Sequence, residues 1–173
     1  RFKQLLESTP DAIIIIGENG RIQVVNNNML KLFGYTKSEV IGQPLEILIP
    51  NEIGEKHISH RKNFFKNPSS RNMGERNDLF AVRKDKSRFP VEISLNPIET
   101  TEGVLVAAAI RDITERKEAE ERIKASENKF RSIAATASDA IVSANNKGVI
   151  ESWNKAAEQI FGYSENEAVG KHL

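Results

Sequence analysis

The sequence predicts an α+β fold: a five-stranded antiparallel sheet with short helices on one face, then a connector helix, then the start of a second copy of the same fold. Three observations carry this. Residues 88–96, RFPVEISLN, alternate apolar and polar side chains with the period of a strand whose two faces differ. The decapeptide FGYTKSEVIG at 33–42 returns as FGYSENEAVG at 161–170. Residues 111–132, between the copies, contain no proline or glycine and consist mostly of good helix formers.

The repeat is longer than its decapeptide. Sliding the chain by 128 residues aligns 2–45 with 130–173 and gives 13 identities in 44 positions, among them Asp11, Gly20, Asn26, Phe33, Gly34 and Gly42. Such periodic self-similarity marks two copies of one unit. The division it suggests is a first domain at 1–112, a helical connector at 113–129 with coiled-coil character, and the N-terminal part of a second domain at 130–173. The second copy ends where the first has more than half its sequence to come. Its apolar face should therefore need further strands or a partner.

Each element has a local reason. DAIIIIGENGRIQVVN places two β-branched runs around ENG, a hairpin with Gly20 able to take positive φ, and Gly148 occupies the same place in the second copy. Asn26 and Asn27 offer side-chain oxygens to the first amides of a short helix carrying Leu30 and Phe33; Asn154 does so in the repeat. Gly34 stops that helix. Thr36 with Glu39, and Ser164 with Glu167, have capping-box spacing for the next one. Residues 51–66 read as a helix with Ile53, His57 and Phe64 or Phe65 on its apolar side, and 67–75, NPSSRNMGE, as loop. Strands are expected near 78–84, 88–96 and 104–112, joined through KDK and TTEG. In the connector, Ala119, Ile123, Ser126, Phe130, Ile133 and Ala137 follow alternating steps of four and three, with polar Ser126 weakening one layer; the pattern suits a parallel two-helix contact between chains and also a solvated single helix packed on its own domain.

Composition excludes several functions. The 25 basic and 24 acidic residues are interspersed and leave a net charge of +1, so no basic field for nucleic acid stands out. There is no cysteine. That removes disulfides, thiolate metal sites and cysteine nucleophiles, and it fits a reducing, cytoplasmic compartment. The longest apolar run, AIIII, is too short for a membrane span. The chain opens on Arg1 and reads as an excised piece, whose parent could carry a membrane anchor. No phosphate loop or acid–base–nucleophile set is evident, so this portion reads as non-catalytic.

PDAIIIIGENGRIQVVNNNMLKLFGYTKSEVIG, RKDKSRFPVEISLN and VAAAIRDITERKEAEERI, in that order, resemble the PAS sensory-domain family. SDAIVSANNKGVIESWNKAAEQIFGYSENEAVG repeats the resemblance. Lys86 departs from it, standing where the family often has glycine in a turn. The resemblance implies a tandem sensor region of a multidomain signalling protein, with a small pocket between sheet and helices. It also implies output through a downstream histidine kinase or nucleotide-messenger enzyme, and dimerisation through helices. The candidate relay residues are Asp112, Ile113 and Thr114 at the exit of the last strand, with Ile123 and Phe130 in the connector. The candidate pocket lining is Ile14, Ile16, Leu30, Phe33, Val91, Ile93, Val106 and Ala108, which equally suits a filled core. His57 stands where the haem-binding branch of the family places an axial ligand, although Asn63 and Asn77 stand where that branch has arginines and Arg76 is one residue away. A non-covalent flavin or small carboxylate also suits such a pocket; a cysteinyl-flavin adduct is excluded for this portion. His57 and His60 share a helical face but do not make a metal site by themselves.

Overall fold

A computed structural model describes residues 2–74 and 78–173. Arg76 and Asn77, weighed above for haem, lie outside the described residues. The chain divides into two compact units, Arg1–Arg116 and Lys117–Leu173. The first begins with α1 (Phe2–Ser8), then the hairpin β1 (Ala12–Ile16) and β2 (Ile22–Val25). Next come α2 (Asn27–Phe33), α3 (Lys37–Val40), a 3-10 turn at Leu45–Leu48 and α4 (Asn51–Lys66). It closes with β3 (Arg71–Met73), β4 (Leu79–Val82), β5 (Arg88–Thr100) and β6 (Gly103–Asp112), from which α5 (Thr114–Thr136) departs.

The strands form one antiparallel sheet in the order β2-β1-β6-β5, with β3 and β4 sharing the far side of β5. Five strands were expected and six are found among the described residues. Residues 71–73, expected as loop, pair with 93–95 while β4 pairs with 88–91, so the last position of the sheet is divided between two short strands. At the opposite border, residues 42–45 seal β2: Ile22 donates its N–H to the Gln43 carbonyl, Gly42 donates to Ile22, and Leu45 donates to Gly20.

Ile14, Ile16, Val91, Val106 and Ile110 present one sheet face to Met29 and Phe33 of α2, Val40 of α3, Leu48 of the 3-10 turn and Phe64 of α4. Each such side chain contributes about 1.5–3 kcal/mol on burial. Phe33 meets Phe89 edge to face with ring centroids 5.4 Å apart. Ile13 and Ile15, on the other face of β1, are buried too, which explains an unbroken apolar run in place of alternation. Ile53 is exposed, so α4 docks through Phe64 and Phe65 and not through the full stripe expected.

In the second unit, β7 (Val142–Ala144) and β8 (Ile150–Trp153) form a hairpin, followed by α6 (Lys155–Phe161) and α7 (Glu165–Ala168). Both hairpins shift register before the turn, between Ile15 and Ile16 and between Ser143 and Ala144. Helix α5 extends to Thr136, seven residues past the connector boundary expected at 129. Asn26 alone caps α2; Asn27 is its first helical residue and an exposed one, so one of the two asparagines expected to cap does not.

Candidate functional site

The sheet hands over to α5 at Asp112. Its Oδ1 accepts hydrogen bonds from the Thr114 N–H (2.9 Å) and the Thr114 hydroxyl (2.6 Å), satisfying an amide that the first helical turn leaves without a partner. Its Oδ2 accepts from Arg83 Nη2 at 2.9 Å. Buried Ile113, between them, donates its N–H to the Pro90 carbonyl of β5. Arg83 itself donates through Nε to the Leu32 carbonyl near the end of α2, and its guanidinium lies 3.8 Å from the centre of the Phe89 ring. One cluster thus joins the helical layer, the sheet and the exit helix. The sequence pointed to Asp112, Ile113 and Thr114 as relay candidates and did not point to Arg83. Its only signal was a place in the charged run RKDKSR.

Helix α5 buries none of its side chains. Ile123 is 62% exposed and Phe130 is 58% exposed, and Ile133 continues the same ridge. Seven residues separate the first pair and three the second, which keeps all of them on one seam.

The candidate pocket residues meet in the core. Ile14 lies opposite Ala108 and Ile16 opposite Val106, while Ile93 faces Ile110. Ile14, Ile16, Phe33, Val91, Val106 and Ala108 are buried, and Leu30 and Ile93 pack partly buried against the same cluster. Clefts reach the edge of this set. One of about 480 Å³ reaches Phe33 beside Arg83 and Lys84, and one of about 150 Å³ reaches Ile93 beside Asp11 and Arg111.

His57 lies on α4 with Nδ1 3.1 Å from Glu46 Oε1, and Arg61 Nε is also 3.1 Å from that oxygen. Burial lowers the pKa of His57 and outweighs the Glu46 carboxylate, which raises it. Burial also pushes Glu46 upward, but the hydrogen bonds from His57 and Arg61 prevail and hold it below 4.5. A carboxylate oxygen can only accept, so His57 Nδ1 and Arg61 Nε both donate to Glu46 Oε1. Arg61 also lies across the β1–β2 turn, donating to the Glu18 carbonyl at 3.3 Å. A Cβ on Gly20, whose φ is +73°, would fall 2.0 Å from the Arg61 guanidinium carbon. Asp11 forms a two-pronged pair with Arg111 at 2.9 and 3.0 Å. Among the described residues, no three His, Asp or Glu side chains gather as a metal site, and no helix is long and apolar enough to cross a membrane.

Comparison with known proteins places this architecture. Residues 10–115 match the PAS domain family and residues 128–173 match the PAS fold family. The sensor protein FixL of Bradyrhizobium diazoefficiens is 26% identical over 123 residues, which cover 71% of this chain and 24% of that protein. The oxygen sensor protein DosP of Escherichia coli is 25% identical over 173 aligned residues, covering 98% of this chain and 21% of its own length. The chain thus spans about a quarter or less of these relatives. The crystal structure of a PAS domain from an HTR-like protein of Haloarcula marismortui superposes with a TM-score of 0.56 at 26% identity, covering 65% of this chain and 89% of that one. The sheet order, the helical layer over one face and both sequence matches lead to one conclusion: the chain belongs to the PAS domain family, as a tandem of one PAS domain and a second PAS-like region.

Proposed function

We propose that the chain is a sensory and dimerisation module of a signal-transduction protein. In this reading 1–112 is the sensor domain, 113–129 the connector, and 130–173 the start of a second sensor. The state of the first domain, set by a ligand or partner, passes through Asp112, Ile113 and Thr114 into α5. The Ile123 and Phe130 seam pairs with a second copy and conveys the change to an output domain such as a histidine kinase. The observation that carries this reading is the double engagement of Asp112. One oxygen holds the first turn of α5, and the other holds Arg83, which is tied to the end of α2 and to Phe89. A shift in the helical layer therefore changes the hold on α5. The reading gains from the sensor proteins among the relatives.

The packing of Ile14, Phe33, Val91 and Val106 against one another favours a relay or scaffold without a resident ligand over a haem on His57 Nε2 or a non-covalent flavin. Visible absorbance and native mass spectrometry of gently purified protein decide between these.

A chain without cysteine makes the dimer testable by disulfide trapping. Ile123→Cys should cross-link to its counterpart under mild oxidation, and Asn128→Cys, on the outer side of the seam, should not. Asp112→Asn should speed amide exchange in the first turn of α5 and change the Ile123→Cys cross-linking rate several-fold. Equal trapping at both positions would sink the dimer, and an indifferent Asp112→Asn would sink the relay.

A further inference from the structure

We propose that a buried asparagine latches each module to the helix that precedes it, so that Asn154 makes the end of α5 and the second module one cooperative unit, as Asn26 does for α1 and the first. The entrance is a separate matter from the exit relay and stands without a dimer.

The Asn26 side chain is fully buried and uses every hydrogen-bonding position an amide has. Its Oδ1 accepts from the Ile13 N–H at 2.9 Å and the Met29 N–H at 3.0 Å. Its Nδ2 donates to the Leu6 and Asp11 carbonyls, both at 3.0 Å. Asn154 repeats the set. Oδ1 accepts from Ile141 (2.8 Å) and Ala157 (3.0 Å), and Nδ2 donates to Ala134 (2.8 Å) and Asp139 (3.0 Å). Two amide donors on one side and two carbonyls on the other fix which way each side chain points.

The helix contact gives the arrangement its meaning. Leu6 and Ala134 lie in the last turns of α1 and α5, where carbonyls have no partner within the helix. In both copies the helix end is further tied by a hydroxyl at the matching position: Ser8 donates to the Leu5 carbonyl at 2.8 Å, and Thr136 donates to the Ser132 carbonyl at 2.9 Å. The asparagine stands 20 residues beyond its helix carbonyl both times. The neighbouring side chains differ, Leu6 against Ala134 and Met29 against Ala157, so the device is written in one letter and in backbone atoms. Asn154 also caps α6 and holds the residue before β7. A displacement of the end of α5 therefore reaches the hairpin and the first helix of the second module through one side chain. Helix α5 is grasped at its start by Asp112 and at its end by Asn154.

The test uses Asn154→Asp in the full chain, followed by residue-resolved hydrogen exchange. Aspartate keeps the oxygen facing Ile141 and Ala157 but loses both donors. Exchange in the last turns of α5 should rise at least tenfold while the Ala157 amide stays protected, and Asn26→Asp should leave α5 unchanged. Unaltered protection at the end of α5 would overturn the proposal. A second measurement needs no variant. In the wild-type chain under graded denaturant, the amides of Ile141 and Ala157 and those of the last turns of α5 should open with one common free energy and slope. Independent opening of the helix end overturns the latch even if Asn154→Asp fails to fold. The dimer seam plays no part in either measurement.

Discussion

The first and second units carry the same local devices and differ in what covers them. Gly34 and Gly162 end their helices at φ of 77° and 81°, and Thr36–Glu39 and Ser164–Glu167 close the same capping box. Yet Phe33 is wholly buried while Phe161 is 54% exposed, and Leu173 and Tyr163 are open as well. The first unit covers its face with Phe89, Val91, Val106 and Ile110, which come from strands β5 and β6. Hairpin, cap and latch are thus decided within some 45 residues of sequence. Burial is decided by strands far along the chain.

The sharpest test of this contrast is truncation of the paired phenylalanines. Phe33→Ala should cost the first unit about 3–5 kcal/mol in urea unfolding, because it empties a packed site. Phe161→Ala, which loses a half-exposed ring packed beside Trp153, should cost less than about 1 kcal/mol. Equal costs would mean that the second unit is covered as the first is. A smaller effect concerns Lys86, a non-glycine residue at φ of 71° in the β4–β5 turn. A left-handed conformation costs such a residue about 1–2 kcal/mol, partly offset by the greater freedom of unfolded glycine. Lys86→Gly should therefore raise the stability of the first unit by about 0.5–1 kcal/mol and leave the second unchanged in the same unfolding experiment.

The smallest effect separates the two capping boxes. Hydrogen bonds from the Lys84 side chain, above all, and from Thr36 lower the pKa of Glu39 to about 2, whereas Glu167 is lowered by Ser164 alone. Because the folded values lie below 4.5, each contribution is present above that pH. The Glu39 contribution is lost as pH falls toward about 2. Carboxyl NMR titration should show Glu39 titrating below Glu167, and Lys84→Ala should remove that gap. A gap that survives would assign the difference to something other than the β4–β5 turn.

Much of the fold could be read from residues that act on near neighbours. Gly20, Gly34 and the two capping boxes announce their geometry because their partners lie within a few positions. The period-two pattern of 88–96 marked β5, but that strand continues through Pro97 to Thr100, beyond the stretch that β3 pairs. Strand β3 was illegible: Arg71, Asn72 and Met73 show no alternation, and their pairing with 93–95 is a matter of backbone reach across the sheet. Arg83 was hidden because its partners are a carboxylate 29 residues away and a carbonyl 51 residues away. Asn26 could be read as a helix cap, but half of its bonds go to backbone carbonyls that carry no side-chain signature.

The seal on β2 bears on a hazard peculiar to tandem copies. Two hairpins of similar sequence in one polypeptide invite strand exchange during folding, each offering itself to the wrong neighbour. Residues 42–45 occupy the outer edge of β2, and Lys171 and Gly170 bond Ile150 of β8 in the same way. Each copy therefore closes one border with the segment that follows its own two short helices. In the first unit the β1 side is taken by β6, a strand from the far end of the same copy.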